Sequence, residues 1–225
     1  MILTNRLFTR RSASREAKSI YIFGEGVSRE YHYFLYFKEI DTRINIEIYP
    51  LNETEDNSPR GLFKIATDCI IKSELNPNPK YEFIENDEVW IVLDTDKDKF
   101  VSREKQIIEL RADCTKLNWF VAQSNPCFEV WLYYHFFKAK PEFEGIEFCK
   151  GWKPLLNEEG GFDSRKHPIF IQNAIENSIN NFNETNEIPN IGSTEVHKLS
   201  QSILSIVKDK INKVLNEIEN KNTNA

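Results

Sequence analysis

Acidic residues follow directly on two apolar runs of this sequence. Glu25 comes shortly after the run Ile-Tyr-Ile-Phe, and Asp94 follows Val-Trp-Ile-Val-Leu and opens the cluster Asp-Thr-Asp-Lys-Asp. Side chains alternate along an extended strand, so Asp94 and Asp96 project to the same side. Two carboxylates about 4 Å apart repel by about 4 kcal/mol at an effective dielectric of roughly 20. A divalent cation relieves that repulsion, and oxygen ligands favour Mg²⁺ or Mn²⁺. We therefore expect Glu25, Asp94 and Asp96 to form a metal site.

The elements around these residues alternate between apolar runs and helical patterns. Strands are expected at 20–23, 44–49, 89–93 and 119–122, with helices at 29–40, from about 60 and through 107–110. Such a βαβ rhythm predicts an α/β fold with a mostly parallel sheet that helices cover on both faces. Ligands of such sheets bind at the carboxyl ends of the strands. Glu25 and Asp94 are both expected at that end.

The chain divides into four segments by composition. Residues 1–18 form a basic N-terminal arm, 19–125 the α/β core, 126–219 a helical extension packed on the core, and 220–225 a frayed tail. The extension is expected to begin with a helix in which Asn125 is the cap and Pro126 the first helical residue. We interpret it as part of one domain and not as a second independent fold.

Composition limits the classes of protein to consider. With 225 residues, 40% of them hydrophobic, the chain can build one sizeable core. No apolar run approaches the roughly 20 residues of a membrane helix, so we expect a cytoplasmic protein without a membrane contact. The cysteines are scattered without a C-x-x-C pair, which favours reduced, buried thiols; they are Cys69, Cys114, Cys127 and Cys149.

The net charge of −6 argues against a dedicated nucleic-acid coat protein. Local stretches are nevertheless basic: Arg10, Arg11 and Arg15 lie in the N-terminal arm, and Lys97 lies inside the acidic cluster. These residues either contact phosphates or form solvated faces.

Two residues of the first C-terminal helix are further candidates. Glu129 could approach the metal. His135 follows it by six residues, which is about 240° around a helix, so the two do not share a face. A histidine buried in the core is the favoured interpretation of His135.

Spacing tests several rival motifs. An EF-hand needs Gly and Glu where Lys99 and Lys105 stand, and the P-loop motif is absent. Arg29 replaces the third glycine of a dinucleotide-binding fingerprint. A haloacid-dehalogenase-like phosphatase also uses Asp-x-Asp after a strand and stays open as an alternative, although Asp98 departs from its usual pattern.

Three blocks of the sequence resemble the RloB-like family. They are Glu25-Gly26 with Glu30, Tyr33 and Phe34 downstream, the strand that ends in Asp94-Thr95-Asp96, and, most specifically, residues 124–136. A later stretch with Gln172 and residues 193–199 extends the likeness over nearly the whole chain. This chain departs from the family pattern at Gly24, Arg29 and Thr95, where members usually have Cys, Thr and Arg.

The resemblance implies a Toprim-like fold and a role in abortive phage defence beside an AAA or ABC-type ATPase. It implies phosphodiester cleavage in which Asp94 and Asp96 hold Mg²⁺, Asp98 supports that ion or a second one, and Glu25 is a ligand or general base. Glu30 belongs to the same family motif. A non-catalytic sensor or regulatory partner of the ATPase is the alternative. The substrate, DNA or RNA including tRNA, and a possible homo-oligomer stay open.

Overall fold

The structure, a computed structural model, describes residues 9–26, 28–95, 97–158 and 160–223, with the side chains of all of these except 97–102, 158 and 221–223. Four strands form its main sheet: β1 Lys18–Gly24, β2 Ile44–Ile48, β3 Glu88–Asp94 and β4 Phe120–Ser124. Every pairing in this sheet is parallel, and the strand order is β2-β1-β3-β4. Strands β1 and β3 are apolar along almost their whole length because both faces of the sheet are covered.

Helices lie on both faces of the sheet. The first three are α1 Arg29–Leu35, α2 Pro59–Ile70 and α3 Lys97–Lys116. Residues of α1 share one core cluster with Ile20 and Ile22 of β1, whereas residues of α2 and α3 share the other with Tyr21 and Phe23. The helices cover both faces because the connections run in opposite directions across the sheet. The connection from β1 to β2 runs in one direction, and those from β2 to β3 and from β3 to β4 run in the other. The expected α/β fold class, Toprim-like with a mostly parallel sheet and a helical C-terminal part, is confirmed.

The direction of the connections reverses between β1 and β3. These two strands are neighbours, with Gly24 of β1 beside Val92 of β3. A reversal of this kind opens a crevice at the carboxyl ends of the two strands, where ligands of α/β sheets bind. Glu25 follows β1 and Asp94 ends β3, so the topology brings both residues to that crevice.

Two expected boundaries are wrong. Helix α1 ends at Leu35 and not near Ile40, because the next residues form tight turns and Glu39 adopts a positive φ of 62°. Strand β4 begins at Phe120 and extends to Ser124, two residues beyond the predicted end. Its last residue pairs with Asp94 of β3, so the strand continues for as long as β3 offers partners.

The C-terminal part packs on the α1 face. It contains α4 Glu129–Tyr133, α5 Cys149–Glu158, a 3-10 helix at His167–Phe170, α6 Ile171–Asn180, a hairpin of β5 Glu184–Thr185 and β6 Ile188–Pro189, and α7 Val196–Thr223. Helix α7 extends four residues into the range expected to fray. Within the described ranges, no helix is long and apolar enough to span a membrane.

The expected start of α4 is also wrong. The helix begins at Glu129 and not at Pro126. Asn125 does not cap it, since the Asn125 amide donates to the carbonyl of Pro189 at 2.7 Å and its main-chain N–H donates to Ser193. Asn125 therefore ties the end of β4 to the C-terminal segment.

Residues 192–195 run antiparallel to the end of β4. Gly192 N–H donates to Asn125 O at 2.7 Å, and Glu195 N–H donates to Gln123 O at 2.8 Å. Between them, Ser124 and Thr194 form a bridge and their hydroxyl oxygens lie 2.7 Å apart. This segment covers an edge strand whose main-chain groups would otherwise stay unpaired.

Helix α5 depends on its buried apolar residues. Trp152 is fully buried, and its indole N–H donates to Ile146 O at 2.7 Å. We expect Trp152→Ala to lower the free energy of unfolding by about 3–5 kcal/mol, because the substitution leaves a large cavity. Leu75→Ala is the control, since Leu75 is 99% exposed. Urea unfolding measures both, and an equal effect of the two substitutions would contradict the packing described for α5.

Candidate functional site

Glu25 stands in the crevice with its carboxylate held from two sides. Its main-chain N–H donates to Val92 O at 3.1 Å, which extends the ladder between β1 and β3. Arg103 of α3 donates from Nη1 to Oε1 at 2.8 Å and from Nη2 to Oε2 at 3.0 Å. The N–H of Asp94 donates to Oε2 at 3.3 Å. Glu25 and Arg103 thus form a bidentate ion pair, and both side chains are 9% exposed.

Asp94 lies beside this pair with one oxygen left over. Its Oδ1 is buried and has no hydrogen-bond partner among the described residues. Burial raises the pKa of Asp94 well above its ordinary value, and the charges of Glu30, Glu25 and Glu129 act in the same direction. A buried carboxylate oxygen without a donor is costly, so this atom marks a place where a proton or a cation would be stabilised.

Glu30 and Glu129 complete the acidic group from α1 and α4. Glu30 is 5% exposed, and its carboxylate lies so close to Gly26 that a Cβ there would stand 1.9 Å from Oε2. Burial raises the pKa of Glu30 to about 7, helped by the charges of Glu129 and Glu25. Glu129 accepts a hydrogen bond from Arg29 Nη1 at 2.6 Å. The glycine therefore leaves the space that the Glu30 carboxylate occupies.

The described cations do not balance these carboxylates. Arg103 pairs with Glu25 and Arg29 pairs with Glu129, which leaves Glu30 and Asp94 without an ion pair among the described side chains. A divalent cation carries the charge that would offset both. The donors are all oxygen atoms, which fits a hard cation such as Mg²⁺ or Mn²⁺.

Asp96 and Asp98 are the remaining acidic residues of the expected metal site. Asp96 is outside the described residues, and Lys97 and Asp98 open α3 with side chains that are not described. Among the described side chains, no three of the His, Cys, Asp and Glu type are arranged to hold a metal ion. The structure nevertheless places Glu25, Glu30 and Glu129 close enough to Asp94 for their charges to act on it.

Arg10, Arg11 and Arg15 lie elsewhere. Arg10 donates to the carbonyls of Lys38 and Tyr36, and Arg11 N–H donates to Glu39 O. Arg15 lines a cavity with Ser19 and Asp87 near the amino ends of β1 and β3. The three arginines therefore lie toward the opposite end of the sheet from Glu25 and Asp94, and contact with phosphate stays a prediction for them.

His135 is buried in the C-terminal core. Its Nδ1 lies 3.1 Å from Trp131 O and its Nε2 lies 3.2 Å from the hydroxyl of Tyr33. A carbonyl can only accept, so Nδ1 carries the proton and Nε2 accepts from Tyr33. Burial lowers the pKa of His135 to about 3, which keeps the ring neutral at ordinary pH. This arrangement matches the interpretation of a histidine in the core.

Sequence reasoning missed a polar network behind the site. Glu195 is 2% exposed and accepts from Arg111 Nη2 at 2.5 Å and from Lys198 Nζ at 2.8 Å. Gln123 accepts from the same Arg111 and donates to the hydroxyl of Thr95 at 2.9 Å. The network reaches the residue after Asp94. The only sequence signal for it is that Glu195 lies in one of the blocks shared with the family.

Two thiols border the acidic group. Cys127 is buried, and Cys149 opens α5. A hydrogen bond with Cys149 raises the pKa of the Cys127 thiol, as do burial and the charges of Glu129 and Asp94. Both cysteines are free, as the sequence predicted.

A cavity of about 710 Å³ opens next to the crevice. Thr95 and Asn125 line it at the ends of β3 and β4, and Ile108 and Ile191 give it apolar walls. A cavity of this size can take a nucleotide-sized group.

Fold and site together define an α/β protein with buried carboxylates at the switch point of a parallel sheet. The family described as RloB-like protein has a sequence model that matches residues 20–203. The chain belongs to the RloB-like family, as its sequence motifs led us to expect. It has no significant match among curated proteins or among solved structures.

The neutral state of His135 predicts how stability depends on pH. The pKa of His135 in the folded chain, about 3, lies below the ordinary histidine value of 6.5. Below pH 6.5, the unfolded chain therefore binds a proton on His135 that the folded chain does not bind. The free energy of unfolding thus decreases as the pH is lowered. Relative to His135→Gln, the wild type should lose up to about 2 kcal/mol between pH 7.5 and pH 5.

Chemical denaturation at the two pH values measures this difference. The exposed His32, changed to Gln, is the matched control and should leave the pH dependence of the wild type in place. Identical pH dependence of the wild type and His135→Gln would show that burial does not keep His135 neutral.

Proposed function

We propose that this chain is a metal-dependent nuclease of Toprim type that cleaves phosphodiester bonds in DNA or RNA, including tRNA. The observation that carries the proposal is the buried Asp94 Oδ1, which has no partner among the described residues and stands among three further carboxylates. Its place at the switch point of the sheet is where α/β proteins bind ligands.

Asp94, Asp96 and Glu25 would hold Mg²⁺ or Mn²⁺, with Asp98 in support. When bound, the ion would offset the negative charge of the phosphate and of the oxygen that leaves it. Glu25 is oriented for this role by two contacts with the main chain of β3, to Val92 O and from Asp94 N–H. Glu25 Oε2 is also the atom at which a proton from the attacking water could be held.

Other parts of the site suit a phosphate group. Only two residues separate the end of β3 from the start of α3, so the positive end of the helix dipole faces the carboxyl edge of the sheet. Thr95 lies between β3 and α3 and is held by two hydrogen bonds. Its N–H donates to Ser124 O at 2.8 Å, and its hydroxyl accepts from Gln123. The cavity beside Thr95 provides room for the nucleotide next to the cleaved bond.

The biological setting of the proposal rests on membership of the family. We propose an effector of abortive infection in the cytoplasm, controlled by an ATPase of AAA or ABC type and able to form a homo-oligomer.

A second candidate function is a non-catalytic sensor or regulatory partner of the ATPase. The bidentate pair of Glu25 and Arg103 favours it, because both oxygens of Glu25 are already bonded without a metal. In that case, the carboxylates organise the crevice and take no part in a reaction.

Cleavage assays separate these functions. Plasmid DNA, single-stranded DNA and total tRNA are incubated with the chain, with and without the ATPase, in Mg²⁺, Mn²⁺ or EDTA. We expect metal-dependent cleavage of one substrate, which Asp94→Asn and Asp96→Asn each reduce by about a hundredfold or more, since the metal supplies several kcal/mol to the transition state.

Asp41→Asn is the matched control. Asp41 is a buried carboxylate paired with the exposed Arg43 before β2, at the other end of the sheet, so the variant reports on the loss of a buried carboxylate outside the site. Cleavage that survives in Asp94→Asn, or the absence of cleavage with the ATPase present, would contradict the nuclease proposal, and the second result would favour the sensor.

A further inference from the structure

Arg103 is buried in the acidic crevice and held almost entirely by Glu25. Both of its terminal nitrogens donate to that carboxylate, at 2.8 and 3.0 Å. Its other hydrogen bond, from Nη2 to Asn57 O, is long at 3.5 Å. Its Nε is buried and has no partner within the described part of the chain. Asp56 also attracts the guanidinium electrostatically. Among the described side chains, Glu25 is the carboxylate with which Arg103 forms an ion pair.

Glu25, in contrast, has anchors that do not involve Arg103. Its main-chain N–H is part of the ladder to β3, and its Oε2 also accepts from Asp94 N–H. If Arg103 moved away, these contacts would keep the carboxylate next to Asp94. Glu25 can thus exchange one cation for another without leaving the crevice.

A metal ion and Arg103 compete for this carboxylate. Each oxygen of Glu25 accepts a hydrogen bond from Arg103, so neither oxygen is free to face an ion on the same side. An ion held by Glu25 and Asp94 would also lie next to the guanidinium group of Arg103. Two neighbouring cations in a buried site repel each other strongly. Simultaneous binding of both is therefore disfavoured.

We propose that Arg103 is a built-in counter-cation that occupies Glu25 in the metal-free protein and exchanges with a divalent ion there. This step rests on the proposed function, because it takes Glu25 and Asp94 as ligands. Arg103 belongs to α3, the helix that begins within the acidic cluster at Lys97, so its release changes the contacts of that helix with the crevice. The exchange makes binding of the metal a conformational event and weakens the apparent affinity for the ion.

Mn²⁺ binding to the full chain, measured by titration calorimetry, tests the exchange without an activity assay. Arg103→Gln should bind Mn²⁺ at least about tenfold more tightly than the wild type, because the competing charge is gone. Arg103→Lys keeps the charge but not the bidentate geometry, and its affinity should lie between the two. This second variant also serves if Arg103→Gln does not fold.

Arg43→Gln is the control. Arg43 donates from Nε and Nη2 to the carboxylate of Asp41 before β2, at the other end of the sheet, so the variant removes the same charge and a bidentate ion pair outside the crevice. Its affinity for Mn²⁺ should stay within about twofold of the wild type, since it does not compete for the ion. The gain from Arg103→Gln should vanish in the Glu25→Gln background.

The outcomes separate this inference from the proposed function. Equal or weaker Mn²⁺ binding in Arg103→Gln, with weaker binding in Asp94→Asn, would overturn the exchange and leave the metal site in place. Equal gains in Arg103→Gln and Arg43→Gln would also overturn it, as an effect of net charge alone. No Mn²⁺ binding in the wild type or any variant would overturn both.

Discussion

Mutual repulsion among buried carboxylates is the constraint on which this structure depends. Glu25, Glu30, Asp94 and Glu129 come from four separate elements and meet in one crevice. Each would be stable as an anion in water, and burial together is unfavourable without cations. The fold meets part of this requirement with Arg103 and Arg29. The pKa values of Asp94 and Glu30 are raised, which indicates that Arg103 and Arg29 do not offset all of the negative charge.

The sheet explains why these residues meet although they are far apart in the chain. Glu25 and Asp94 are separated by 69 positions, yet they end neighbouring parallel strands. Helices α1 and α4 then bring Glu30 and Glu129 to the same edge. The C-terminal segment contributes from behind, since Glu195 holds Gln123 and Arg111, and Gln123 holds Thr95 beside Asp94. The C-terminal part is thus a structural component of the site as well as a cover for one face.

What could be predicted from the sequence was local in origin. Apolar runs that end in acidic residues indicate β1 and β3, because a strand buried on both faces needs an apolar residue at nearly every position. Helix α5 has only a weak local signal because Gly151 and Pro154 lie inside it, although Trp152 and Leu156 bury its apolar side. Arg103 was one of several basic residues after the acidic cluster. Its pairing with Glu25, 78 residues away, follows from tertiary packing that no local period reports.

The cost of burying the four carboxylates indicates that they have a role other than stabilising the fold. Apolar side chains of similar volume often replace buried ionic groups with no loss of stability or with a gain. Paired or not, the four carboxylates therefore do not explain why the chain folds. The buried Oδ1 of Asp94 has no partner among the described residues, and a buried carboxylate oxygen without a donor is costly in free energy. Such a group at the switch point of a parallel sheet is better explained by a ligand of opposite charge than by folding. We therefore favour the nuclease proposal over a purely structural use of the same residues.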